Sequence, residues 1–184
     1  KLTPPPGCKA ECVIINGVEC EPYLTADYRL MMEKADQVMV GVTILMKAAK
    51  LDKGYIGIEN NKPEAIKILT QKASEYQGIE VVPLKTKYPQ GGEKQLIDAI
   101  LSRQVPAPPA IPINVGAVVQ NVGTAYAVYE AVQKNKPLFE RIVTVTGKSL
   151  TNPSNYLTRM GVPMSQLIDA AGGQPEDTGK VIGG

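Results

Sequence analysis

Histidine is missing from this chain altogether. Ser-His-Asp catalysis, His-ligated metal and imidazole proton shuttling are therefore excluded, and any acid–base chemistry must rest on other side chains. Tryptophan is also absent, phenylalanine occurs once, and the net charge is only +2. No stretch interleaves Lys and Arg with aromatics as a nucleic-acid groove requires, so nucleic acid is set aside as a partner. No apolar run approaches the roughly 18 residues of a membrane span and no signal-peptide pattern opens the chain, which reads as a soluble, cytosolic piece. The three cysteines, Cys8, Cys12 and Cys20, are odd in number and fit no zinc or cluster spacing. They read as buried or free thiols. With Lys1 at the start and Gly183-Gly184 at the end, both ends read as cuts through a larger protein.

What is there is ordinary globular composition: 184 residues, 43% hydrophobic and 21% charged, enough for one full domain and a small one. Three successive prolines make residues 1–7 an extended lead-in. The β-branched run Cys12-Val13-Ile14-Ile15 then predicts a buried strand, stopped by Asn16-Gly17. Apolar residues at three- and four-residue spacing from Met31 to Ala49 predict one helix over 27–51, about 35 Å long, with Asp27 as its N-cap. Tyr55 to Ile58 reads as a second strand. A helix opened by Pro63 and ended by Gly78 follows, and Ile79 to Leu84 reads as a third strand. Strand, helix, strand, helix, strand with short connections is the pattern of parallel βαβ units, which brings the three strand tips to one sheet edge.

Lys85 to Glu93 follows the third tip and contains Gly91-Gly92, where backbone can approach a ligand closely; a helix with Leu96, Ile97, Ile100 and Leu101 inward comes next. Four prolines make 104–112 a stiff crossing, and residues 118–124 are expected to open a further helix. From Arg141 a strand, the Gly147-Lys148 turn, a second strand and a short helix over 163–171 predict a separate α+β unit, with a boundary near Pro137.

Asn16, Glu19, Glu21, Glu59, Asn60, Asn61, Tyr88, Gly91, Gly92, Glu93, Asn121 and Thr124 would all gather at one edge. Singly each has a plain structural role: Asn60 or Asn61 as a helix cap, Asn16-Gly17 as a turn, Glu93 as a complement to a helix dipole. Jointly, glycines and helix N-termini suit phosphate, amides suit a planar heterocycle and carboxylates suit ribose hydroxyls, so the economical ligand is a nucleotide. The G-x-G-x-x-G fingerprint does not occur in this chain.

The segments INGVECEPYLTADYRLM, KYPQGGEKQLI, VVQNVGTAYAVYEAV and TVTGKSLTNPSNYLTRMGVPMSQLI carry a resemblance that spans essentially the whole chain. It resembles the C subunits of Rnf ion-translocating electron transport complexes and, more distantly, the NADH-oxidising flavoprotein subunits of respiratory complex I. The resemblance implies an α/β fold, with a Rossmann-like parallel sheet flanked by helices over 1–137 and a β-grasp unit of the soluble-ligand-binding (SLBB) kind over 138–184. It further implies oxidation of NADH on FMN, with electrons passing to two 4Fe-4S clusters outside these residues and then toward ferredoxin. The other subunits of the complex would be partners, and the location would be peripheral, on the cytoplasmic face of the bacterial inner membrane.

By the same resemblance, Lys1 closes the flavin loop, Asn16 and Asn121 line the flavin, Thr124 lies toward its phosphate and Gly91 offers a backbone contact, with Gly92 and Gln120 counted beside them among the cofactor-binding candidates. Glu19, Glu21 and Glu93 match carboxylates around the flavin and nicotinamide nucleotides, and Tyr88 opens the loop that carries Gly91 and Glu93. Val18, Gly92 and Gln120 depart from the complex I pattern. The glycine-rich flavin loop is expected before Lys1 and the cluster cysteines after Gly184, so residues 1–184 alone are expected to lack FMN and activity. Hydride transfer between two rings needs no catalytic base, in keeping with a site of amides, glycines and carboxylates. Two other readings share the fold: a cobalamin reductase of metabolic microcompartments, and a non-catalytic docking scaffold.

Overall fold

The computed structural model describes residues 4–184. The described residues divide into two compact units, one formed by residues 4–21 and 27–137, the other by residues 22–26 and 138–184.

In the first unit, the apolar run at the start becomes strand β1 (Cys12–Asn16), whose residues from Cys12 to Ile15 are buried. β2 (Gly54–Glu59), β3 (Ile79–Leu84) and β4 (Ala117–Asn121) join it in one sheet of order β3-β2-β1-β4, every pairing parallel. A parallel sheet covered on both faces demands apolar residues at successive positions, which is why β1 reads as a continuous run rather than an alternation. Helices α1 (Ala26–Glu33), α2 (Ala35–Ala49), α3 (Pro63–Ala73), α4 (Glu93–Leu101) and α5 (Val122–Lys134) complete the unit.

The two faces are covered differently. A Cβ added at Gly54 would run into Met46 and Val42 of α2, whereas one at Gly57, on the opposite face, would meet Leu96 and Ile100 of α4. On the α4 side, Cys12, Ile14, Ala117 and Val119 pack with Leu96, Ile97, Val18 and Leu84 in one buried cluster. On the other side α2 packs against α3 and α5. Gly41 makes the α2–α5 approach possible, since a Cβ there would fall 1.9 Å from the Ala125 carbonyl oxygen.

Four local expectations are corrected. The single helix over 27–51 is two helices, broken at Lys34, whose φ of −131° and ψ of 32° leave the helical region. Leu30, Met31, Ala35 and Val38 are buried on both sides of the break. Hydrophobic periodicity reports which face is inward and is blind to the continuity of the axis. Asp27 is not the cap of α1; it lies in the first turn, and the Glu19 carboxylate takes the capping role. Neither Asn60 nor Asn61 caps α3, whose N-cap position is Lys62. Residues 117–121, expected to lead into a helix, form β4, and α5 starts only at Val122. Gly116 and the short run Ala117-Val118-Val119 were the available signal, but a five-residue strand fused directly to a helix leaves little period to read.

In the second unit, β5 (Glu140–Val145) and β6 (Ser154–Arg159) form a two-stranded antiparallel sheet, followed by α6 (Met164–Ala170). The backbone N–H groups of Thr25 and Ala26 donate to Thr144 Oγ1, which attaches residues 22–26 to β5. Tyr156 donates its hydroxyl to the Asn152 and Ala170 carbonyls, and Ala171 is fully buried beyond α6. Among the described residues no helix is long and apolar enough to cross a membrane.

Candidate functional site

Strand order decides where a parallel sheet opens. From β1 the chain moves outward to β2 and β3 and then returns to place β4 on the far side of β1, so the order reverses between β1 and β4. The helices that follow adjacent strands diverge at such a point, leaving a crevice beyond the strands' carboxyl ends. Asn16 ends β1, Asn121 ends β4, and the two are direct register partners.

Asn16 donates its Nδ2–H to the Gly91 carbonyl at 2.8 Å, and its Oδ1 accepts the Val18 N–H at 3.2 Å. One amide thus holds the loop after β1 and the loop after β3 together. Gly91 fits closely there: an added Cβ would lie 3.2 Å from Cys20 Sγ and 3.4 Å from Val18 Cβ, so those side chains would have to give way. Asn121 caps α5 by accepting the Gly123 N–H at 2.9 Å and donates to the Asp27 carboxylate at 2.7 Å. Thr124 is half-buried in the first turn of α5, and Gln120 is half-buried one position before Asn121.

Glu19 adopts a left-handed backbone conformation, φ 48°, uncommon for a residue with a side chain. Its carboxylate accepts the Asp27 N–H at 2.7 Å and the Tyr28 N–H at 3.2 Å. Burial pushes its pKa above the ordinary carboxylate value, against the pull of those two N–H donors, while the nearby Asp27 charge adds to the rise. Gly92 precedes α4 at its N-cap position and Glu93 is the first residue of the helix; both are half-buried. Glu21 is exposed and Tyr88 is 71% exposed, so neither is drawn into the interior of the edge. Lys1 lies outside the described residues.

The edge also holds a charge pair, of which the sequence pointed only to Glu59, and a buried amide to which it did not point. Glu59, at the end of β2, is 2% exposed and lies 3.6 Å from the ammonium of Lys62, itself only 9% exposed. Gln90 is buried beside Gly91, and its Oε1 has no hydrogen-bond partner among the described residues. A lysine three residues after a strand-end glutamate was a legible pair at helical spacing, although nothing in the sequence said that it was buried. Asn60 accepts the N–H and hydroxyl of Thr86, tying the tips of β2 and β3.

Among the described residues no group of His, Cys, Asp and Glu could hold a metal ion, and all three cysteines are free. Burial raises the pKa of the Cys12 thiol, with Arg103 opposing. A cleft of about 430 Å3 opens at the other end of the strands, where Lys9, Lys50, Lys53 and Arg103 mix with Glu11 and Asp52. It lies at the amino ends of the strands, the wrong edge for a ligand of a parallel sheet.

A donor set of amides, glycines and a helix N-terminus suits a phosphorylated planar heterocycle. The open Gln90 acceptor is consistent with that, because a buried acceptor left without a donor costs about 1–3 kcal/mol. The Glu19 carboxylate, by contrast, is already engaged as the cap of α1.

Known proteins share both the sequence and the fold of this chain. Over its whole length the chain is 48% identical to the C subunit of the proton-translocating ferredoxin:NAD(+) oxidoreductase complex of Clostridium ljungdahlii, covering 40% of that protein. It is 47% identical to the C subunit of the Na(+)-translocating ferredoxin:NAD(+) oxidoreductase complex of Acetobacterium woodii, covering 41% of it. The chain thus spans well under half the length of these relatives. Crystal structures of an NAD+-reducing NiFe hydrogenase, in H2-reduced and air-oxidized states, share the fold with TM-scores of 0.72 and 0.73 over 88% of this chain, at 20% and 23% identity and covering 33% and 32% of theirs. Residues 142–183 match the SLBB domain model. Residues 1–130 match the model of the Nuo51 FMN-binding domain, and the chain belongs to that family.

Proposed function

We propose that this chain is the flavin- and NADH-binding part of the C subunit of an ion-translocating ferredoxin:NAD+ oxidoreductase, and that FMN and NADH meet at the edge where Asn16 and Asn121 are paired. The register of those two amides at the strand-order reversal is the observation that carries the reading. The names of the relatives support the reaction class, and the family model supports the flavin.

When bound, FMN would accept a hydride equivalent from NADH and release electrons one at a time. The chain's own residues have no proton to move at the reacting atoms; their work is to place and enclose. Asn16 holds the Gly91 loop at a fixed height above β1, Asn121 fixes the N-terminus of α5 where a phosphate is favoured, and Gln90 offers an acceptor shielded from water. Glu93 and Tyr88 are proposed to meet the nicotinamide nucleotide. Lys1, Gly92, Gln120, Thr124, Glu19 and Glu21 are proposed to border the flavin or the nucleotide. Iron-sulfur clusters beyond residue 184, the other subunits and ferredoxin would complete the electron path at the cytoplasmic face of the membrane. The domain limits proposed remain 1–137 and 138–184, and residues 1–184 alone are expected to be inactive.

The test is flavin stoichiometry in the full-length protein, read by absorbance of FMN released on denaturation, followed by anaerobic bleaching with NADH. Near-stoichiometric FMN that NADH reduces is expected. A full-length protein that takes up no FMN on reconstitution would overturn the assignment.

A further inference from the structure

We infer that the buried Glu59–Lys62 pair is the positioning element of the candidate site, setting the loop after β1 and the loop after β3 in one arrangement; the inference rests on the flavin–NADH reading above. Neither residue is assigned a contact with the proposed ligands. Their role is read from which backbone atoms they hold.

Lys62 directs its ammonium to the Val18 carbonyl at 3.0 Å and the Glu19 carbonyl at 3.5 Å, with Asn61 Oδ1 at 3.4 Å. Those carbonyls belong to the loop that presents Asn16 and leads to the Glu19 cap of α1. Glu59 accepts the Lys87 N–H at 3.1 Å through Oε1, at the start of the Tyr88–Glu93 segment, and faces Lys62 at 3.6 Å through Oε2. One cation therefore holds the first loop, one carboxylate holds the second, and the two charges hold each other. With Glu59 2% exposed and Lys62 9% exposed, water cannot take over either set of bonds, so removing one partner leaves the other charged and buried. Glu19 shows what the device maintains: its left-handed backbone is gripped at the carbonyl by Lys62 and at the carboxylate by the first turn of α1. A strained conformation persists where its surroundings over-determine it.

The experiment uses the full-length protein in four forms: wild type, Lys62→Met, Glu59→Ala, and Leu69→Ala. Leu69 is a fully buried α3 residue that serves as a destabilised control. Hydrogen exchange is measured first without added flavin, over peptides covering residues 17–28 and 84–93. The inference expects Lys62→Met and Glu59→Ala each to raise exchange at least tenfold in both peptides together, although each side chain holds only one of the loops directly, and expects Leu69→Ala to leave both peptides near wild type. FMN and NADH titrations below the melting temperature of every form should then show affinity lost at least tenfold in the two pair variants and kept in the control. Loss confined to the loop each residue touches, or equal loss in Leu69→Ala, would overturn the inference, as would unchanged exchange in the pair variants. Failure of the flavin reading registers separately, as a wild type that binds no FMN whatever the exchange pattern.

Discussion

Asn121 donates to the Asp27 carboxylate at 2.7 Å while its carbonyl oxygen accepts the Gly123 N–H, so one side chain joins the start of α5 to the first turn of α1 across 94 residues of sequence. The end of β4 becomes a junction of two helices, and its geometry depends on a single amide with both ends engaged.

Replacing Asn121 separates these two bonds. Asn121→Asp keeps an acceptor for Gly123 but sets a second carboxylate against Asp27, whereas Asn121→Ala removes both bonds. Loss of an N-cap costs about 0.5–2 kcal/mol and a hydrogen bond to a charged group about 1.5–3 kcal/mol. Urea unfolding at neutral pH should find both variants destabilised, and lowering the pH should recover part of the Asp variant's loss only. Equal pH profiles for the two would remove Asp27 from the junction.

The raised pKa of Glu19 has a definite sign in stability. The native protein holds that proton more tightly than the unfolded chain does. The resulting stability is full below the ordinary value of 4.5 and is lost as pH rises through the higher folded value. The stability advantage of wild type over Glu19→Gln should therefore shrink with rising pH across that window. Denaturation midpoints measured across a pH series check this; parallel curves would mean that Glu19 titrates alike in both states.

Gly91→Ala puts a methyl 3.2 Å from Cys20 Sγ and 3.4 Å from Val18 Cβ, so the loop must lift or the neighbours must yield. Overpacking of this kind costs about 1–3 kcal/mol. The melting temperature should fall and FMN content in the full-length protein should fall with it, because the Gly91 carbonyl is what Asn16 holds. Gly41→Ala, 1.9 Å from the Ala125 carbonyl, should be at least as destabilising through the α2–α5 contact alone. If Gly91→Ala retained full flavin, the loop would have no part in the site.

Glu93 opens α4, where a carboxylate complements the helix dipole. If it also orients NADH, Glu93→Gln should slow NADH-driven flavin reduction roughly 10- to 150-fold, the equivalent of about 1.5–3 kcal/mol for a hydrogen bond to a charged group, with FMN content unchanged. A role limited to the dipole would cost only about 0.3–1 kcal/mol of stability. Stopped-flow reduction set beside a thermal melt separates them: an unchanged rate with a lowered melt assigns Glu93 to the fold.

Local pattern carried much of this protein into view. Runs such as Cys12 to Ile15 and Ile79 to Leu84 declare buried strands because a parallel sheet exposes neither face, and β3 begins and ends where the sequence predicts. Alternation with helices of the right period then places Asn16, Glu59 and Lys85 at one edge, as the parallel registers bear out. Each of these inferences uses forces acting over a few residues.

Partnership was decided elsewhere. That 117–121 is a strand, that it lies beside β1 rather than beyond β3, and that Asn121 thereby meets Asn16 all depend on hydrogen bonds closed between segments about a hundred residues apart. Glu19, a candidate ligand in the sequence, is seen in the fold to cap α1 as well; Asp27 read as that cap and is the acceptor for Asn121. A carboxylate looks the same in sequence whether it waits for a ligand or satisfies a helix N-terminus. Only burial and the position of the nearest unpaired N–H distinguish the two, and both are properties of the folded chain. For the same reason Lys62 drew no notice in the sequence, and only the tertiary structure set it between Glu59 at the tip of β2 and the Val18 and Glu19 carbonyls after β1.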